Sequence, residues 1–222
     1  MDNLGLFLLI LVIPLIAQLY VTSSYNKHKK VKNSRKLTGY DIARKILDEN
    51  GLKEMYVVET KGTMSDHYDS SRKIIRLSSE VYKGTSIASS AIAAHECGHA
   101  IQDKEGYSFM RIRSFIFPIV SLGTKLAYII LFIGLILSSL GLIYLAIAFV
   151  SLGLLFQLIT LPVEFNASTR AKKELTKYNL VNNEEHDMAE TMLRAAALTY
   201  VAGVLASALE VLRLLLIFAN RD

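Results

Sequence analysis

Apolar residues in this 222-residue chain are gathered into blocks rather than spread evenly. Residues 4–21 form an apolar run disturbed only by Pro14 and Gln18, and the fifty residues 114–163 carry Lys125 as their single charge. Residues 195–219 are again mostly apolar, interrupted by Glu210 and Arg213. About 20 apolar residues suffice for a helix to cross a hydrocarbon core. The first block therefore predicts one crossing, and the second predicts two, with a bend near 138–141. The third predicts a fourth crossing, with a helix lying in the interface as the alternative. Glu210 and Arg213, three residues apart, are placed to pair on one helix face.

Between the blocks the pattern changes period. From 38 to 113 the chain reads as a small water-facing α+β module. Thr38 is placed to cap a helix over 39–49 that Gly51 ends. Residues 56–60 and 73–78 have the β-branched character of short strands, residues 66–71 supply turn residues between them, and a helix follows over 86–102. The expected fold is mainly α and integral to the membrane, with about four transmembrane helices and a small α+β cytoplasmic module. Its segments are an anchor at 1–23, the module at 24–113, a membrane hairpin at 114–163, a second cytoplasmic segment at 164–194, and a last transmembrane or interfacial helix at 195–222.

Charge refines this picture. The net charge of +5 includes the cluster Lys27, Lys29, Lys30, Lys32, Arg35 and Lys36, with no acidic residue between Val21 and Asp41. Placed directly after the first apolar block, this cluster reads as a membrane-orienting signal, not a nucleic-acid surface. It sets the N-terminus outside and the module in the cytoplasm of a multi-pass plasma-membrane protein. Because the basic residues follow the apolar run, a cleaved signal peptide is the weaker reading. Cys97 is the single cysteine, so no internal disulfide forms. Nothing in the pattern sets an oligomeric state.

The chemistry lies in His95-Glu96-Cys97-Gly98-His99. Residues four apart project from one helix face, so both imidazoles can share a metal ion. Glu96, about 100° around the helix, is aimed at a water polarised by that ion. Zinc brings the pKa of such a water to roughly 7, and a carboxylate beside it serves as general base and then as acid toward the leaving amine. Two histidines leave a catalytic zinc one protein ligand short, and a carboxylate is the usual third. Glu164 is the first charged residue after the hairpin. An even number of crossings returns it to the face that holds His99.

Other polar residues are candidates for lesser roles. His67, in the predicted turn, could stabilise an oxyanion or simply cap that turn. His186 lies near a predicted helix start and reads as a surface residue, with a site role as the alternative. His28 belongs to the basic cluster and reads as facing the membrane surface. Tyr68, Arg170 and Tyr200 could contact a transition state, and their spacing selects none of them. Cys97 falls on the far side of the motif helix and reads as a small core residue. Lys125 would line a cavity or snorkel to the interface.

HECGHAIQ at 95–102 followed by TLPVEFNAS at 160–168 resembles the YugP-type bacterial membrane zinc metallopeptidases, as do DHYDSS at 66–71, RLSSEVY at 76–82, read as a strand region, and LRAAALTYVA at 193–202. More distantly, the order of HExxH helix, membrane hairpin and glutamate is similar to HtpX-type and CAAX-prenyl endopeptidases, a gluzincin-like arrangement. The resemblance implies one catalytic zinc held by His95, His99 and Glu164, with Glu96 as base. In the distant relatives an aspartate four residues after the glutamate ligand supports a zinc histidine. Ser168 stands at that position here, and Asn166 is a second candidate for the support. The expected activity is hydrolysis of peptide bonds in membrane-associated or unfolded protein segments, with substrate adding as a strand against residues 74–78. The alternatives are a zinc-stabilised membrane scaffold without catalysis and a prenyl-protein endopeptidase. A site-2-type intramembrane protease fits less well, because Lys83 and Asp103-Lys104-Glu105 bracket the motif helix with charge.

Overall fold

The computed structural model describes residues 3–218. The extreme ends of the first and last predicted segments, residues 1–2 and 219–222, lie outside them. The chain folds as α1 (Asn3–His28), α2 (Gly39–Glu49), β1 (Tyr56–Thr60), β2 (His67–Asp69), β3 (Ile74–Ser78), α3 (Ser79–Lys83), α4 (Ile87–Lys104), α5 (Ser108–Ile136), α6 (Leu140–Lys177) and α7 (Asn183–Phe218). It divides into two compact units. Among the described residues, one comprises 3–18, 108–162 and 198–218, and the other 19–107 and 163–197.

The first unit draws on α1, α5, α6 and α7, each long and apolar enough to cross a membrane. At most 22% of the most apolar window of each helix is buried by protein. Phe115, Phe132 and Ile136 stand open on α5. A water-soluble protein does not expose apolar surface on this scale, so lipid is the solvent here. The predicted bend falls between α5 and α6, where Ser138 takes φ 49° and the Ser139 N–H returns to the Gly134 carbonyl at 2.9 Å. Arg213 makes two hydrogen bonds to Glu210, of 3.0 and 2.9 Å, as their spacing predicts. The pair lies at a cavity of about 480 Å³ whose lining also includes Tyr128, Gln157 and Ser207. Lys125 is exposed and not part of that lining.

The second unit is built around α4. Helix α2 begins with a complete capping box: the Thr38 hydroxyl accepts from the Asp41 N–H at 3.1 Å, and Asp41 accepts from the Thr38 N–H at 2.9 Å. Its apolar face, Ile42, Ala43, Ile46 and Leu47, is fully buried, and Gly51 follows at φ +68°. Ser86 caps α4 by accepting from the Ser89 N–H. Alanines at 88, 91, 93, 94 and 100 let α4 pack closely on its neighbours in the core, with Ile75 and Leu77 of β3 and Ala171 and Leu175 of α6.

The three strands are ordered β1-β3-β2, with β1 parallel and β2 antiparallel to β3. This corrects two expectations. Residues 66–71 hold a short strand, β2, where only turn residues were expected. And β3 is the central strand, paired with β1 along 74–78 and with β2 along 74–76, while the Ser78 N–H is taken by the Asp66 carboxylate, so a substrate strand cannot run along 74–78; the outer edges belong to β1 and β2. The strand region expected over 76–82 ends at Ser78, because Ser79–Lys83 turns into α3. His28 is also not membrane-facing: it is 3% exposed, and its Nδ1 lies 2.8 Å from the Ser24 carbonyl.

Candidate metal centre

Every residue of this site lies in the second unit. Helix α4 supplies His95 and His99 from adjacent turns, with ring centroids 4.8 Å apart and planes at 87°. The Glu164 carboxylate arrives from α6. Its Oε2 lies 3.4 Å from His95 Nε2 and 3.5 Å from His99 Nε2. Zinc bonds to nitrogen and oxygen of about 2.0–2.2 Å, at a tetrahedral angle, would set ligand atoms roughly 3.3–3.5 Å apart. A direct charge-assisted hydrogen bond would close to about 2.7–2.9 Å. The observed spacing leaves room for an ion between these atoms, and two imidazoles with one carboxylate form a donor set that suits zinc.

Glycine makes the approach of the two helices possible. A Cβ placed on Gly98 would lie 2.5 Å from the Ala167 carbonyl oxygen. The motif helix therefore touches the backbone of α6 three residues beyond Glu164. Any side chain at 98 would push the carboxylate away from the histidines.

Around the two histidines, polar groups hold each ring. Ser168 Oγ lies 3.2 Å from His95 Nδ1, on the position marked by the resemblance. His99 Nδ1 lies 3.0 Å from Gln102 Oε1. Gln102, fully buried, donates from Nε2 to the Val163 carbonyl at 2.8 Å and to Asn166 Oδ1 at 3.0 Å. Asn166 thus meets Gln102 and Arg170 rather than His95 or His99. Gln102 had no role in the sequence reading. Its one signal was a position three residues after His99, on the same helix face.

Glu96 is 7% exposed. Burial pushes its carboxyl above the ordinary range; His95 and His99 oppose the shift, and Glu164 and Asp66 add to it. At His99 burial disfavours the imidazolium, but Glu164, joined by Glu96 and Gln102, outweighs this and the ring is raised above its usual value. Asp66 takes part through β3: it accepts from the Ser78 N–H at 2.7 Å. Cys97 is buried against the Ala43 carbonyl, on the core side of α4.

The remaining candidates lie elsewhere. His67 opens β2, is exposed, and has Nδ1 2.8 Å from the Ser65 carbonyl of its own turn. His186 sits in the first turns of α7 with Asp187 and Glu190. That second group is a poor metal site, because Glu190 already pairs with Lys172 and Arg194 at 2.9 Å each. Tyr68 donates to Asp103 at 2.6 Å. Arg170 pairs with Glu105 at 2.7 Å.

Comparison with known proteins identifies the family. A family model described as "Putative neutral zinc metallopeptidase" matches residues 4–219. The "Putative membrane protease YugP" of Bacillus subtilis (strain 168) is 46% identical over 204 residues, covering 92% of this chain and 91% of that protein. No solved structure matches the chain. A match over nearly all of its length, together with four helices long and apolar enough to cross a membrane, makes this chain a multi-pass membrane member of the neutral zinc metallopeptidase family.

Proposed function

We propose that the protein is a zinc-dependent endopeptidase that hydrolyses peptide bonds in membrane-associated or unfolded protein segments, with one zinc held by His95, His99 and Glu164. The observation that carries this reading is the convergence of His95 Nε2, His99 Nε2 and Glu164 Oε2 at 3.4 and 3.5 Å, with Glu96 between the two histidines in sequence. When bound there, zinc supplies Lewis acidity toward the scissile carbonyl and the attacking water. Glu96 takes the proton from the water and returns it to the leaving amine. Its buried position favours the return step, because a carboxyl raised above the ordinary range holds a proton more readily than a free one and can deliver it to the amine. Ser168 and Gln102 keep the rings of His95 and His99 facing Glu164.

The orientation follows from chain order. The basic cluster after the first crossing draws residues 27–36 to the cytoplasm. The hairpin of α5 and α6 makes two crossings, so His99 before it and Glu164 after it share that side. The N-terminus then lies outside.

The test is cleavage of an unstructured protein by detergent-purified, zinc-loaded protein, with Glu96→Gln run in parallel. Wild type should cleave, and Glu96→Gln should bind one zinc per chain while losing about 10²- to 10⁴-fold in rate. Zinc bound by both forms with cleavage by neither would sink the peptidase reading.

A further inference from the structure

We infer that Gln102 is a positioning residue of the metal centre, one that fixes the ring tautomer of His99 and ties it to the helix carrying Glu164. The inference rests on the reading of His95, His99 and Glu164 as zinc ligands. It begins at Arg170, whose guanidinium has donors and no acceptor. Arg170 Nε lies 2.7 Å from the Asn166 side chain, so the oxygen of that amide, not its nitrogen, must face the guanidinium. The same oxygen lies 3.0 Å from Gln102, which must therefore present its NH₂. The Val163 carbonyl, 2.8 Å from the same nitrogen, makes the same demand independently.

With both donors of Gln102 committed to α6, only Oε1 is left to face His99 Nδ1, at 3.0 Å. An amide oxygen can only accept. The neutral ring of His99 must then carry its proton on Nδ1, and the lone pair falls on Nε2, the atom 3.5 Å from Glu164 Oε2. A reversed Gln102 would set its oxygen against two acceptors, Val163 O and Asn166 Oδ1, so the chain of bonds has one stable direction. Gln102 has no exposed surface, which leaves no water to compensate a reversal. The same residue thus joins the orientation of one ligand to the backbone from which another projects.

The test compares Gln102→Met, which keeps the volume and loses the acceptor, with Gln102→Glu, which keeps the acceptor toward His99 and loses the donors toward α6. Two readouts are used. One is zinc affinity by competition with a chelator. The other is the ¹⁵N shifts of the His99 ring in metal-free protein at a pH where the ring is neutral, assigned by loss in His99→Gln. In wild type, Nδ1 should report as protonated. Gln102→Met should show mixed tautomers and bind zinc about 10- to 100-fold more weakly. Gln102→Glu should retain the Nδ1–H form and bind zinc more tightly than the Met variant. Wild-type ring shifts and affinity in Gln102→Met, or loss of the Nδ1–H form in Gln102→Glu, would reduce Gln102 to packing. Wild-type protein that binds no zinc would overturn the metal reading instead, and the metal-free ring shifts would still decide for or against Gln102.

Discussion

At the residue scale, His99 is held by influences that do not agree. Burial favours its neutral ring, while Glu164, and after it Glu96 and Gln102, favour the charged ring. The net effect is a raised pKa, and its sign sets a pH dependence. A histidine raised in the folded protein contributes stability that is fully present below its unfolded value of about 6.5 and lost as pH rises through the folded value. That contribution belongs to the metal-free protein, and the proton responsible occupies the atom that zinc requires. Zinc affinity should therefore fall as pH is lowered, starting above the range of an ordinary histidine. Chelator competition between pH 6 and 9 checks this, and a flat profile would contradict it. Ser168 gives a second prediction. Its hydroxyl is a weaker acceptor for the His95 ring N–H than a carboxylate. Ser168→Asp should tighten zinc binding about tenfold, and Ser168→Ala should weaken it by a similar factor.

His95, Glu96 and His99 are legible in the sequence because one helical turn relates them, so spacing alone gives their geometry. Glu164 is legible through ligand count and chain order. Gln102 is not, because its meaning depends on Val163 and Asn166, more than sixty positions away.

At the element scale, the centre depends on how closely α4 lies on α6. Gly98 is the contact point, and the neighbour it would strike is backbone, which cannot swing aside. Gly98→Ala should cost about 1–3 kcal/mol of stability through overpacking and also weaken zinc binding, since separating the helices separates Glu164 from the histidines. Gly141 is the control: a Cβ there meets nothing within 4 Å. Gly141→Ala should leave zinc affinity unchanged and alter stability by no more than about 1 kcal/mol. Thermal melts and chelator competition on both variants separate the contact from the general effect of removing a glycine. The helices of the second unit were legible because caps and apolar periodicity are local; α2 falls on the predicted residues with its Thr38 cap in place. Strand β2 was not, since three residues are too few for an alternating pattern and Asp66, Asp69 and Ser71 speak for a turn. Its pairing with β3 is what fills the edge on which substrate addition had been expected.

At the scale of the whole molecule, two solvents divide the sequence. Uncharged blocks become helices with little protein cover, and charged stretches become a packed unit with an interior of its own. That division was legible because a bilayer demands long uninterrupted apolar runs. Orientation, by contrast, rests on one basic cluster, and a labelling experiment can decide it. Cys97, the single cysteine, has no exposed surface, so a membrane-impermeant maleimide meets a nearly silent background. Single cysteines can then be placed at exposed positions: Lys30→Cys after the first crossing, Lys61→Cys beyond β1, and Gly141→Cys at the turn of the hairpin, where a side chain meets open space. In intact cells Gly141→Cys should label, while Lys30→Cys and Lys61→Cys should label only after the membrane is opened. The reverse pattern would place the zinc ligands outside the cytoplasm and redirect the search for substrates to the opposite face. Labelling of Lys30→Cys and Gly141→Cys from the same side would mean that α5 does not cross, and the two-crossing argument joining His99 to Glu164 would fail with it.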